Sequence, residues 1–87
     1  MMTSVINMRY DLLKFQRIRD LRIDRGYKQR EIANILHVKQ NTYCQYETGK
    51  CSYPIEALIT LAEFYNTSID YLLGLTNESS PYPREEK

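Results

Sequence analysis

The sequence predicts an all-α protein, a compact bundle of five short helices. Apolar residues recur at steps of three and four, and strand patterning is weak throughout. Breaks fall at Gly26, around His37, from Gly49 to Pro54, from Asn66 to Ser68 and at Gly74. A length of 87 residues fits one domain with one modest core. Residues 1–8 are expected to be a disordered extension, with Met8 an alternative start. The domain then covers 9–76, and 77–87, with Ser79, Ser80, Pro81 and Pro83, is a flexible tail.

The first helix is expected from about Leu12 to Arg25. Phe15, Ile18, Leu21 and Arg22 share one face, and Gly26 follows as a natural stop. Leu12 and Ile23 fall outside that stripe. The second helix runs from Gln29 to Leu36 and buries Ile32, Ala33 and Leu36. The third occupies "KQNTYCQYETGK", Lys39 to Lys50. The fourth starts with Pro54 at its first position and Glu56 in its first turn. Its apolar face is Ile55, Leu58, Ile59, Ala62 and Tyr65. Ser68 caps a short fifth helix, "IDYLLG", which Gly74 ends.

Several function classes are disfavoured. No stretch approaches the roughly 20 apolar residues that span a bilayer, so no membrane role is expected. The start, "MMTSVINMRYDLL", lacks an apolar core and cleavage signal for secretion. Cys44 and Cys51 resemble neither a disulfide framework nor a metal set, and His37 is the only histidine. Free thiols fit the cytoplasm. No glycine-rich phosphate loop or nucleophile–base pair is present, so neither catalysis nor a cofactor or metal is expected.

The net charge of +1 hides an asymmetry. Ten basic residues face five acids from Arg9 to Lys50, and two face six from Cys51 onward. Taken alone, this reads as two solvated surfaces of opposite sign. A positive half can also be the footprint of a polyanion.

The third helix has two unlike faces. At 100° per residue, Tyr43 and Tyr46 fall on one side, with Thr42 at its edge. Gln40, Asn41, Cys44 and Gln45 fall on the other. The tyrosines can join a core; the amides must meet water or a polar partner. Each amide carries a donor and an acceptor on one plane, matching the N6 and N7 edge of adenine. A helix fits the B-DNA major groove, and residues near its start make the base contacts. An exposed polar face of an ordinary bundle remains the plainer alternative for these residues alone.

The preceding segment adds weight. Two short helices joined by a tight turn, the second with amides outward, form a helix-turn-helix pattern. Through "RIRDLRIDRG", "QREIANILHV", "TYCQYETGK" and "YPIEALITLAEFYNTSIDYLLGL", residues 16–75 resemble the phage repressor/Cro family, also called the xenobiotic response element type. The resemblance implies a compact five-helix bundle of the lambda-repressor-like DNA-binding type, with helices two and three as the helix-turn-helix. It implies base-reading roles for Gln40, Asn41, Thr42 and Gln45, and a phosphate clamp at Gln29. It puts Thr48, Gly49 and Lys50 in a loop against the DNA backbone, and Ala33 at a close helix crossing. It also implies a buried ion pair between Arg22 and Glu47, which orients the third helix rather than touching DNA. Removing one partner of such a pair costs on the order of 3–5 kcal/mol.

The chain departs from this pattern at three places. Lys28 and Lys39 stand where family members have a capping Thr or Ser. Lysine cannot cap, its charge opposes the helix dipole, and each loss costs about 0.5–2 kcal/mol. A trade is expected, in which each lysine gives up stability and adds a phosphate contact; drift is the alternative. His37 stands where the family has Gly, at a turn needing positive φ, and reads as a strained turn residue. Cys44 lies on the outward face. A redox switch there would need a thiolate favoured by cations, for which Lys50 alone is weak support. Tyr43, Tyr46 and Tyr65 face inward and read as core, not as a stacking platform.

The expected function is a sequence-specific, double-stranded DNA-binding transcriptional regulator, a repressor that binds a palindromic operator as a homodimer. Tyr71, Leu72 and Leu75, within Ile69 to Leu75, are candidates for the dimer surface or simply close the bundle. The alternatives are an antitoxin that also binds a toxin, or the same fold used as a module for a protein partner such as a co-regulator.

Overall fold

The structure, a computed structural model, describes residues 15–83. Among the described residues five helices follow one another: α1 Gln16–Asp24, α2 Gln29–Ile35, α3 Gln40–Thr48, α4 Ile55–Phe64 and α5 Ile69–Leu72. No strand occurs among the described residues. α2 and α3 share the most extensive contact, while α1 packs on α3 and α5, and α5 on α4. The five-helix, all-α reading therefore holds.

Four helix ends share one device. Behind α1, α2, α4 and α5 the chain passes through a left-handed residue: Gly26, His37, Asn66 and Gly74. The N–H of the left-handed residue and that of its successor both donate back into the last turn. At His37 these bonds run to Asn34 and Ala33 carbonyls at 3.1 and 3.0 Å; at Asn66, to Glu63 and Ala62 at 3.2 and 2.8 Å. This double closure satisfies carbonyls that a helix end leaves bare. His37 has φ 59°, as the turn required, and Asn66 has φ 57°. Asn and His are the exceptions tolerated in that region.

The starts differ more from expectation. α1 begins at Gln16, because Phe15 at φ 63° is left-handed and cannot continue a helix. Leu12 lies outside the described residues. Phe15 is half-buried against Tyr53, ring centroids 5.6 Å apart. Pro54 precedes α4 as its N-cap, extended at ψ 154°, and is not its first helical residue. Ser68 caps α5 as expected, its hydroxyl accepting from the Tyr71 N–H at 3.0 Å.

The core gathers Ile18, Leu21, Ile32, Ala33, Tyr43 and Tyr46 from the first three helices, and Leu58, Leu61, Ala62 and Tyr65 around α4. The buried stripe of α4 is turned from the expected one. Leu58, Leu61, Ala62 and Tyr65 lie inward, whereas Ile55 and Ile59 are 71% and 44% exposed. The inward set follows the i, i+3, i+4, i+7 rule, which leaves Ile55 and Ile59 on the flank. Leu36 is only half-buried, and Ile23 is exposed. Tyr53, in the loop before α4, is buried against Tyr43 and Tyr46.

Arg22 and Glu47 form the ion pair implied above. Arg22 Nε donates to Glu47 Oε2 at 2.7 Å and Nη2 to Oε1 at 3.2 Å; Nη1 donates to the Tyr27 carbonyl at 2.8 Å. The Glu47 side chain is 3% exposed and that of Arg22 12%. Gln29 Nε2 adds a third donor to the carboxylate, 3.0 Å from Oε1. One carboxylate thus ties α1, α2 and α3 together. Burial acts to raise its pKa, but the hydrogen bonds and charge of Arg22, with the Gln29 amide, outweigh burial and hold it below the ordinary range. Among the described residues, the buried hydroxyls of Tyr43, Tyr53 and Tyr65 meet no hydrogen-bond partner. Burial drives these phenols upward, Tyr65 to about 12.

Glu47→Gln should therefore destabilise the fold by on the order of 3–5 kcal/mol, because Arg22 keeps a buried, unpaired charge. The sign with pH follows from the depressed carboxyl. Its contribution is complete above the ordinary glutamate value of 4.5 and is lost as pH falls through the lower folded value. Urea midpoints of wild type and variant should converge below about pH 4.5. A gap that is constant with pH would contradict the assignment.

Candidate nucleic-acid interface

α3 turns its tyrosines inward and its amides outward. Tyr43 is fully buried and Tyr46 is 7% exposed, while Gln40 and Asn41 are exposed. Thr42, Cys44 and Gln45 are half-buried at the flanks. Of the four residues expected to read bases, two therefore project freely and two sit at the border of the face. Gln45 is held: its side-chain Oε1 accepts from the Cys51 thiol at 3.2 Å. Both cysteines are free thiols.

Lys28 and Lys39 are the N-caps of α2 and α3, and neither side chain caps. At α2 a substitute is present that the expectation from Lys28 alone does not include. Glu31, three residues on, accepts from the Lys28 N–H at 2.7 Å. This is the carboxylate half of a capping box, and it also suits the positive helix end. No acidic residue stands in the first turn of α3. Both lysines are exposed, as are Thr48 and Lys50. Gly49 turns the chain at φ 82°, and the Thr48 hydroxyl donates to the Gln45 carbonyl at 3.2 Å. Gln29 is half-buried and already bonded to Glu47, so its amide is oriented from within. One N–H and the carbonyl oxygen of that amide remain for another partner.

The positive half offers less free charge than its composition implies. Two bases of the positive half, Arg17 and Arg22, are occupied inside the bundle. Arg17 donates to the Tyr71 carbonyl at 3.3 Å, to the Thr76 carbonyl, and to Asn77 Oδ1 at 3.1 Å. Its guanidinium lies 4.4 Å from the Tyr71 ring centroid. Residues 77–82 also meet the bundle through Thr67, whose hydroxyl donates to the Ser79 carbonyl, and Tyr82, which donates to Asp70, both at 2.6 Å. Sequence carried no local sign of these contacts, since Arg17 reaches across most of the chain.

The dimer surface expected on α5 is reduced. Leu72 is fully buried and closes the bundle, Tyr71 is half-buried beneath Arg17, and Leu75 is 62% exposed. Among the described residues no group of three or more metal-ligating side chains gathers, and no helix is long and apolar enough to cross a membrane.

The caps give an unequal expectation. Lys39→Ser should raise the melting temperature by the equivalent of about 0.5–2 kcal/mol. Lys28→Thr should give less, because Glu31 already serves that end. Thermal melts of both variants decide it; equal gains would mean that the Glu31 bond contributes nothing.

Comparison with known proteins agrees with this geometry. The family model described as a helix-turn-helix domain matches residues 15–78. The chain is 44% identical over 58 residues to the cryptic phage CTXphi transcriptional repressor RstR of Vibrio cholerae, covering 67% of this chain and 52% of that protein. It is 36% identical over 59 residues to the HTH-type transcriptional regulator ImmR of Bacillus subtilis (strain 168), covering 68% and 46%. The uncharacterized HTH-type transcriptional regulator YobD of Bacillus subtilis (strain 168) is 33% identical over 66 residues, covering 76% and 59%. The chain thus spans about half the length of the curated relatives it matches. No solved structure matches it. On the helix-turn-helix of α2 and α3 and on these relatives, the chain belongs to the helix-turn-helix domain family, of the phage repressor/Cro type.

Proposed function

We propose that this chain is a transcriptional regulator, a repressor, that binds double-stranded DNA sequence-specifically from the cytoplasm. The observation that carries this reading is the outward amide face of α3, fixed from below by the Arg22–Glu47–Gln29 network. α3 enters the major groove, where Gln40, Asn41, Thr42 and Gln45 meet base edges. Gln29 brings one free N–H to a phosphate at the start of α2. Lys28, Lys39 and Lys50, with Thr48 and the backbone at Gly49, meet the DNA backbone on either side. A repressor's name on the RstR relative supports the direction of regulation.

A single domain of this size offers limited contact area. The proposal is therefore a homodimer on a palindromic site, with half-sites about 34 Å, one helical turn, apart.

Selection of bound duplexes from a randomised library, with the full chain at moderate salt, tests the proposal. A palindrome with adenine in its half-sites should be enriched. Gln40→Ala and Asn41→Ala should each relax one base step by roughly 1–3 kcal/mol. Lys28→Thr and Lys39→Ser should each flatten the log–log salt dependence by about 0.9 without changing the sequence selected. Salt-sensitive retention with no enriched sequence would overturn the reading and point to a protein partner.

A further inference from the structure

Gln45 differs from the other amides of α3. Gln40 and Asn41 are exposed, and both ends of each amide are open to a partner. The side-chain carbonyl of Gln45 is already engaged by the Cys51 thiol at 3.2 Å. The link is not incidental to a loose loop. Gly49 turns the chain at φ 82°, and the Cys51 N–H returns to the Gln45 backbone carbonyl at 3.1 Å. That carbonyl also accepts from the Thr48 hydroxyl at 3.2 Å. Residue 51 is thereby seated over residue 45 by backbone and side chain together.

The chemistry of the pair is asymmetric. A primary amide reads differently when turned over, because donors and acceptor exchange places. A thiol that donates to Oε1 selects one orientation. Nε2 and its two donors are left as the free end, and one lone pair of Oε1 is used. Adenine in the major groove asks for a donor and an acceptor together, at N7 and N6. Guanine asks only for donors, at N7 and O6.

We infer that Cys51 is a specificity-positioning residue. Through its hydrogen bond it holds the Gln45 amide with its NH2 end outward and occupies one of the two acceptor sites of Oε1, so that Gln45 reads chiefly by donation and favours guanine over adenine at one base step, while Gln40 and Asn41 keep the bidentate adenine match. The inference rests on the proposed reading of DNA by α3. Cys51 itself touches no base in this account; it acts through Gln45.

Library selection with four full-length proteins tests it: wild type, Gln45→Ala, Cys51→Ala and Cys51→Ser. Gln45→Ala first identifies the base step. If it alters no step, the base-reading role of Gln45 has failed, which is a different failure from that of Cys51. At the step it identifies, wild type should prefer guanine. Cys51→Ala frees the carbonyl and should lower the guanine-to-adenine ratio by about two- to tenfold, the worth of one hydrogen bond. Cys51→Ser keeps a donor and should retain the ratio. Adding Cys51→Ala to Gln45→Ala should change nothing further. Cys51 is exposed, so the variants should melt as wild type does. An unchanged ratio in Cys51→Ala, or the same fall in Cys51→Ser, would overturn the inference.

Discussion

One buried carboxylate holds the architecture to its purpose. Glu47 sits near the end of α3 and accepts from Arg22 of α1 and from Gln29 at the start of α2. A charge this deep is costly without donors, and with them it fixes geometry. The three bonds determine where α3 lies relative to the two helices before it. The tyrosines do the apolar part of the same task. Tyr43, Tyr46 and Tyr53 stack by edge and tilt beneath α3, with centroids 5.1–6.4 Å apart. A helix locked along its inner side can present polar groups outward without a loss of packing. That division of labour is what makes an amide face affordable on so small a domain.

The helix ends show where stability was kept and where it was given up. Four C-termini close with the same double hydrogen bond, even where His37 and Asn66 must adopt a left-handed backbone. The N-termini of α2 and α3 are less complete. Glu31 mends the first, and the second has no side-chain cap. α1 and α4 also begin without a side-chain cap, but α3 is the helix proposed to enter DNA. Bare N–H groups and a lysine there disfavour the free protein and favour an approaching phosphate. A DNA-binding helix can tolerate a weak start if its partner completes it.

Much of this was legible in the sequence, for physical reasons that differ by residue. Helix existence followed from the three-and-four spacing, and the stops at Gly26 and Gly74 from the left-handed preference of glycine. The Arg22–Glu47 pair came from resemblance alone, since nothing local in a chain reveals a contact between residues 25 apart. The capping role of Glu31 is legible in its spacing three residues after Lys28, although a lysine at the N-cap hides the pattern of a capping box. The face of α4 was misassigned because Ile55 and Ile59 also sit at helical steps. Only the packed bundle shows that Leu61, not Ile59, lies inward. Arg17 was counted as surface charge, whereas its partners lie at the far end of the chain. The amide face of α3 was visible from composition and helical geometry. The bond that fixes Gln45 was not, because it depends on the turn at Gly49.

The central claim is that the outward amides of α3 meet base edges. The most direct measurement follows the side-chain NH2 resonances of Gln40, Asn41 and Gln45 by NMR as a selected duplex is added to the full chain. The account predicts that these three amides shift strongly and are protected from exchange, with the Lys39 to Thr42 backbone, while Ile55 and Ile59 on the flank of α4 do not respond. Silent amides together with shifts on the α4 flank would contradict it, and would place the binding surface on the exposed apolar flank of α4.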